Sequence, residues 1–154
     1  MKTVNKIMVA VDFSDYSLPS VQYAAQLARD LRAELLLVNV YNQREIDILK
    51  TISVEQPSFS FEKHLEENLV DRRERLAALI EQSGCKNYGV QAQTVVCTGV
   101  PHLELLKEID SRKADLLVMG TKGRSNLMDT IIGSCAQKMF HRSPIPVLSI
   151  RGKE

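Results

Sequence analysis

The residues with the clearest chemical meaning are Gly120-Thr121-Lys122-Gly123-Arg124 and, with nine residues between it and Gly123, Gly133-Ser134. Glycine has no Cβ, so its backbone reaches positive φ and lets a ligand come close. A helix opening at Gly133-Ser134 turns free N–H groups and the positive end of its dipole toward an anion. Lys122 and Arg124 add local positive charge. Together these features suit a di- or triphosphate. With Gly at about 7% of residues, three glycines and a Ser or Thr at these offsets arise by chance on the order of once in 10,000 to 100,000 starting positions. A purely structural account also exists: Gly120 ends a strand, Gly123 makes a turn, and Ser134 caps its own helix.

The elements that must position these residues follow from the spacing of apolar side chains. Ile7 to Val11 is an unbroken apolar run, as expected of a strand covered on both faces, and it leads into the polar stretch Asp12-Phe13-Ser14-Asp15. Helical spacing begins at Ser17, the expected cap, and turns Leu18, Val21, Ala25, Ala28 and Leu31 to one face. Glu34 to Val40 supplies a second strand. Residues 41–61 lack a clear period, contain Pro57 and exceed a usual connection, which predicts an excursion or lid with no core element. Glu62 to Ser83 reads as an amphipathic helix with Leu65, Leu69, Leu76 and Ile80 inward, stopped by Gly84, its charges forming a solvated face.

Val90 to Cys97 alternates in its first half like an edge strand, and Pro101 opens a helix with Leu103, Leu106 and Ile109 inward. Asp115 to Met119 is a fourth strand running into Gly120. A helix from Gly133-Ser134 to about His141 precedes a last strand, Pro146 to Ile150. Strands and helices alternating in this way predict an α/β fold: one domain over 1–154, an open, doubly wound sheet of five parallel strands with helices on both faces. Ligands in such sheets sit beyond the carboxyl ends of strands, where strand order reverses. The positions to search are Asp12, Val40, Thr98 and Gly120. Asp12 suits a ribose hydroxyl or a metal, and equally suits capping the helix that follows.

Composition narrows the function classes. The chain has 154 residues, 44% of them hydrophobic and 25% charged, which is ordinary for a globular domain. Twenty Lys and Arg against nineteen Asp and Glu leave a net charge of +1, so no global field draws nucleic acid or an anionic membrane. No window approaches the roughly 20 apolar residues of a membrane span. Three cysteines without a C-x-x-C pair and three scattered histidines point to a reducing, cytoplasmic setting and away from a zinc centre. The P-loop and dinucleotide glycine patterns are both missing. A phosphorelay receiver would need an Asp where Cys97-Thr98 stands. Ser134 and His141 lie about 10 Å apart along a helix axis, too far for a nucleophile and its base.

The pattern G-x2-G-x9-G-S, after the D-L-L-V-M-G strand and before P-I-P-V-L-S-I, resembles the universal stress protein family, as do I-M-V-A-V-D-F-S-D, L-L-L-V-N-V and T-G-V-P-H-L-E-L-L. The resemblance spans the whole chain and implies ATP as ligand. It implies that Asp12 and the backbone of Val40 contact the adenosine, while Gly120, Gly123, Gly133, Ser134 and the backbone of Cys135 hold the phosphates, with Arg124 beside them and Mg or Mn accompanying the nucleotide. It also implies a homodimer through the terminal strands. The closing strand, 146–150, independently suggests an edge open to pairing, unless its own prolines and tail shield it. Cys135 stands where the family often has a small apolar residue, and its thiol sits where a helix dipole lowers a pKa. The expected function is a nucleotide-dependent stress-response or signalling dimer. A slow metal-dependent ATPase or phosphotransferase and a nucleotide-free interaction scaffold are the alternatives.

Overall fold

The computed structural model describes residues 2–121 and 133–151. Gly123 and Arg124 of the glycine pattern lie outside the described residues. Eleven elements are described: β1 (Lys6–Ala10), α1 (Ser17–Leu31), β2 (Glu34–Asn42), α2 (Gln43–Glu55), α3 (Phe61–Ser83), α4 (Cys85–Tyr88), β3 (Ala92–Gly99), α5 (Pro101–Arg112), β4 (Leu116–Gly120), α6 (Ser134–Arg142) and β5 (Val147–Ile150). The five strands form one parallel sheet in the order β3-β2-β1-β4-β5. The α/β class and parallel sheet expected from the sequence are what the structure shows.

Period-two alternation divides the central strands between two cores. Ile7, Val9, Leu35, Leu37 and Val118 pack against Val21, Ala24, Ala25 and Ala28 of α1 and Leu76 of α3. Met8, Leu36, Val38, Leu117 and Met119 pack on the opposite side against Leu105 and Ile109 of α5 and Ala136 and Met139 of α6. Each fully buried Leu, Ile or Met contributes about 1.5–3 kcal/mol, which is why β1, β2 and β4 hold the centre. β3 lies at one edge, as its alternation predicts, and β5 at the other.

Four local expectations are corrected. The segment 41–61 is mostly regular: β2 runs on to Asn42, whose side-chain oxygen accepts from the Arg44 N–H at 3.1 Å and starts α2. Its helical period is faint because Ile46 is the buried residue of α2. Ser17 is no cap; Tyr16 holds that position and Ser17 is the first helical residue, buried. Leu31 is 44% exposed because the chain leaves α1 through left-handed Arg32 (φ 56°) and tucks Ala33 into the core instead. On α5, Leu105 takes the inward position and Leu103 is exposed.

The largest departure concerns α3. Its stripe at spacings of three and four includes position 72, and Arg72 is buried there rather than lying on a solvated face. The helix ends as predicted, with Gly84 left-handed at φ 89°.

Candidate functional site

β1 pairs with β2 on one side and β4 on the other, so strand order reverses at β1 and a crevice opens beyond its carboxyl end. Asp12 stands at that point. Its Oδ1 accepts from the Ser14 N–H at 3.0 Å and from the Ser17 hydroxyl at 3.2 Å. Phe13 between them is left-handed, φ 61°, a conformation few side chains adopt, and the turn made by Asp12 holds it there. The turn aims the start of α1 and keeps Asp12 at the rim of the crevice.

On the other side, Gly120 ends β4. The Thr121 N–H and hydroxyl both donate to the Ile150 carbonyl, at 3.0 and 3.1 Å, and the Gly133 N–H donates to the Thr121 carbonyl. These bonds bring Gly133 back beside Gly120 across the intervening segment. Gly133 is the N-cap of α6 with φ −66° and ψ 156°, and among the described residues no side chain caps the helix. Ser134 therefore does not cap its own helix. Neither Gly120 nor Gly133 is left-handed, so φ is not what calls for glycine at these two positions.

The result is a cleft of about 470 Å³. It gathers all six described candidates: Asp12, Val40, Gly120, Gly133, Ser134 and Cys135. Its phosphate-suited end is the first turn of α6, where amides without a partner inside the helix and the helix dipole meet. Its other end, at the close of β2, contains polar side chains that sequence reasoning missed. Asn39, 2% exposed, donates from Nδ2 to the Val11 carbonyl at 2.7 Å and accepts at Oδ1 from Arg72 Nη1 at 2.8 Å. Arg72 Nη2 donates to Glu45 Oε2 at 3.1 Å, and the guanidinium lies 4.0 Å over the Tyr41 ring. Burial raises the Tyr41 pKa, with Arg72 opposing. The available signals were Asn39 inside an apolar strand and Arg72 at a stripe position.

Cys135 is no activated thiol. Burial first, and the Asp12 carboxylate second, push it up to about 11, against a smaller opposing effect of Lys138. Burial and then Glu108 push Cys97 up to about 12. Among the described residues no group of three or more His, Cys, Asp or Glu is arranged to hold a metal. Asp12 at the rim fits an Mg-type ion that arrives on phosphates and keeps most of its waters, rather than a cage made by protein. No helix among the described residues is long and apolar enough to cross a membrane.

The fold and sequence have close counterparts. Universal stress protein YxiE of Bacillus subtilis is 30% identical over 149 residues, 96% of this chain and 99% of its own length. The solved structure of MJ0577 from Methanocaldococcus jannaschii matches with a TM-score of 0.76 at 22% identity, covering 99% of each chain. A universal stress protein from Archaeoglobus fulgidus, solved in complex with dAMP, matches with a TM-score of 0.66 at 18% identity over 97% of this chain and 99% of that one. At such identities the two structures establish the shared fold. The universal stress protein family model itself matches residues 3–151, from before β1 to beyond β5. A match over that span places this chain in the universal stress protein family.

Proposed function

We propose that the cleft binds ATP, with its phosphates against the first turn of α6 and its base at the end of β2. The observation that carries this reading is the amino terminus of α6, which has no side-chain cap among the described residues and which lines the cleft together with Asp12. Ser134 and Cys135 offer first-turn amides there, flanked by Gly120 and Gly133. Gly123 and Arg124 belong to the same pattern and would complete the phosphate contacts. Asp12 would take a ribose hydroxyl or a water of an Mg or Mn ion carried by the phosphates. Val40 would meet the base through its backbone. The family relative solved with dAMP supports an adenine nucleotide as the ligand class.

The protein would act as a nucleotide-dependent stress-response or signalling protein in the cytoplasm, working as a homodimer joined along β5. Binding is its main chemistry in this reading, with Asp12 Oδ1 holding the turn at Ser14 and Ser17 and the carboxylate serving to position the ligand. The test is mass spectrometry of small molecules released on denaturing freshly purified protein, with equilibrium dialysis against ATP. An adenine nucleotide released in fixed proportion supports the proposal. No release and no ATP affinity in the presence of Mg would leave the scaffold alternative.

A further inference from the structure

We propose that Phe13 and Arg75 are positioning residues for the nucleotide: the Arg75 guanidinium, stacked on the Phe13 ring, anchors the left-handed turn that aims the Asp12 carboxylate into the cleft. This rests on the reading that Asp12 meets a nucleotide bound there. Asp12 lines the cleft, whereas the ring of the next residue packs on the core that β1 shares with α1 and α3. The backbone changes direction between the two side chains at φ 61°. Glycine takes that conformation freely, and a residue with a Cβ takes it at a cost that the surrounding structure must offset.

The contacts that offset it come from two sides. On the cleft side, Asp12 Oδ1 accepts from the Ser14 N–H and the Ser17 hydroxyl. On the other, Arg75 Cζ lies 4.3 Å from the centroid of the Phe13 ring. Arg75 is an exposed residue of α3, three places beyond Arg72. A cation over an aromatic face is attracted to it, and the attraction here is gained only while the turn keeps the ring beneath α3. Both hydrogen bonds of the turn end on one oxygen of Asp12, so relaxation of Phe13 out of the left-handed region would swing the carboxylate that receives them. A turn held beforehand in its binding geometry spares the ligand the cost of ordering it.

The experiment is equilibrium dialysis against ATP with Mg on wild type, Phe13→Ala, Phe13→Gly and Arg75→Gln, and on Asp12→Asn with and without Phe13→Ala, with folding checked by circular dichroism. Phe13→Ala keeps a Cβ in the left-handed turn and loses the ring, and its ATP affinity is expected to fall roughly fivefold or more. Phe13→Gly loses the same ring but fits the turn without strain, so it should bind at least about threefold more tightly than the alanine variant. Loss of packing alone gives the opposite order, because glycine buries less than alanine and adds chain entropy. Arg75→Gln should weaken binding about two- to fivefold. In the Asp12→Asn background, Phe13→Ala should change affinity by less than about twofold, since the group it positions is already altered. A glycine variant that binds no better than alanine, or an equal loss from Phe13→Ala in both backgrounds, overturns the proposal and leaves the cleft assignment intact. Unchanged affinity in Arg75→Gln overturns the part assigned to Arg75. Wild type that binds no ATP overturns the cleft assignment itself, and the roles of Phe13 and Arg75 with it.

Discussion

Arg72 Nη1 donates to Asn39 Oδ1 at 2.8 Å, tying the middle of α3 to the end of β2 through two buried side chains. Because Asn39 also grips the Val11 carbonyl, the bond continues to the end of β1. Replacing Arg72 by Met keeps much of the packing but leaves the Asn39 oxygen without its donor and Glu45 without its guanidinium. The expected loss is about 2 kcal/mol of stability, read as a lower urea midpoint. A loss under about 0.5 kcal/mol, typical of surface substitutions, would show that the network carries no such weight.

Asp12 serves a turn and, in the proposed function, a ligand, and two variants separate these roles. Asp12→Asn keeps a side-chain oxygen for the Ser14 N–H and Ser17 hydroxyl, whereas Asp12→Ala removes it. Thermal unfolding is expected to show a loss of about 1 kcal/mol for the alanine variant and less for asparagine. ATP affinity in Mg-containing buffer should fall in both. Full affinity in Asp12→Asn would confine Asp12 to the turn.

Gly133→Asp places a carboxylate at the N-cap of α6, where φ −66° suits any residue and Asp is a favoured cap. The fold should therefore keep its stability to within about 0.5 kcal/mol, while repulsion at the phosphate end lowers ATP affinity at least about tenfold. Calorimetric unfolding and dialysis on one preparation measure both. Retention of ATP by a stable variant would move the phosphates away from α6.

Acid sensitivity is expected at Asp115. Burial alone would raise its pKa, but the backbone N–H groups of Asn5 and Lys6, at 2.9 and 3.0 Å, and the Lys2 ammonium outweigh it and hold the carboxyl below its ordinary 3.8. A depressed folded-state pKa gives stability that is present above the unfolded value and is lost as pH falls through the folded one. Urea midpoints of wild type and Asp115→Asn should differ by a constant amount above about pH 5 and converge below 3.8. A gap that persists at the lowest pH would assign the difference to packing.

The carbonyls of Pro146, just before β5, and of Ile150 on β5 accept from the Leu117 and Thr121 N–H groups, so by alternation Ser149 turns its N–H toward the open edge. Ser149→Pro removes that donor at a place where an edge strand tolerates proline. If copies pair along β5, light scattering should show wild type at twice the mass of the chain and the variant at the single-chain mass. An unchanged mass would exclude this edge as the dimer contact.

Much of this molecule is written locally. The apolar runs at β1, β2 and β4 and the helical stripes on α1 and α3 each record burial at a fixed period, so the sheet class and the order of these five elements were legible residue by residue, whereas α2 was not. The glycine pattern was legible for a similar reason: bare backbone beside a helix start needs particular residue types at particular offsets. Strand order was not, since pairing β1 with β4 depends on contacts across more than a hundred residues. Nor was the polar end of the cleft. Charge patterning assigns Arg72 to solvent, because a run of Asp, Glu and Arg looks alike whether each charge meets water or a buried partner. Only the folded chain brings Asn39 from β2, Glu45 from α2 and Arg72 from α3 to one place, where three polar side chains meet each other's needs and a guanidinium can leave water.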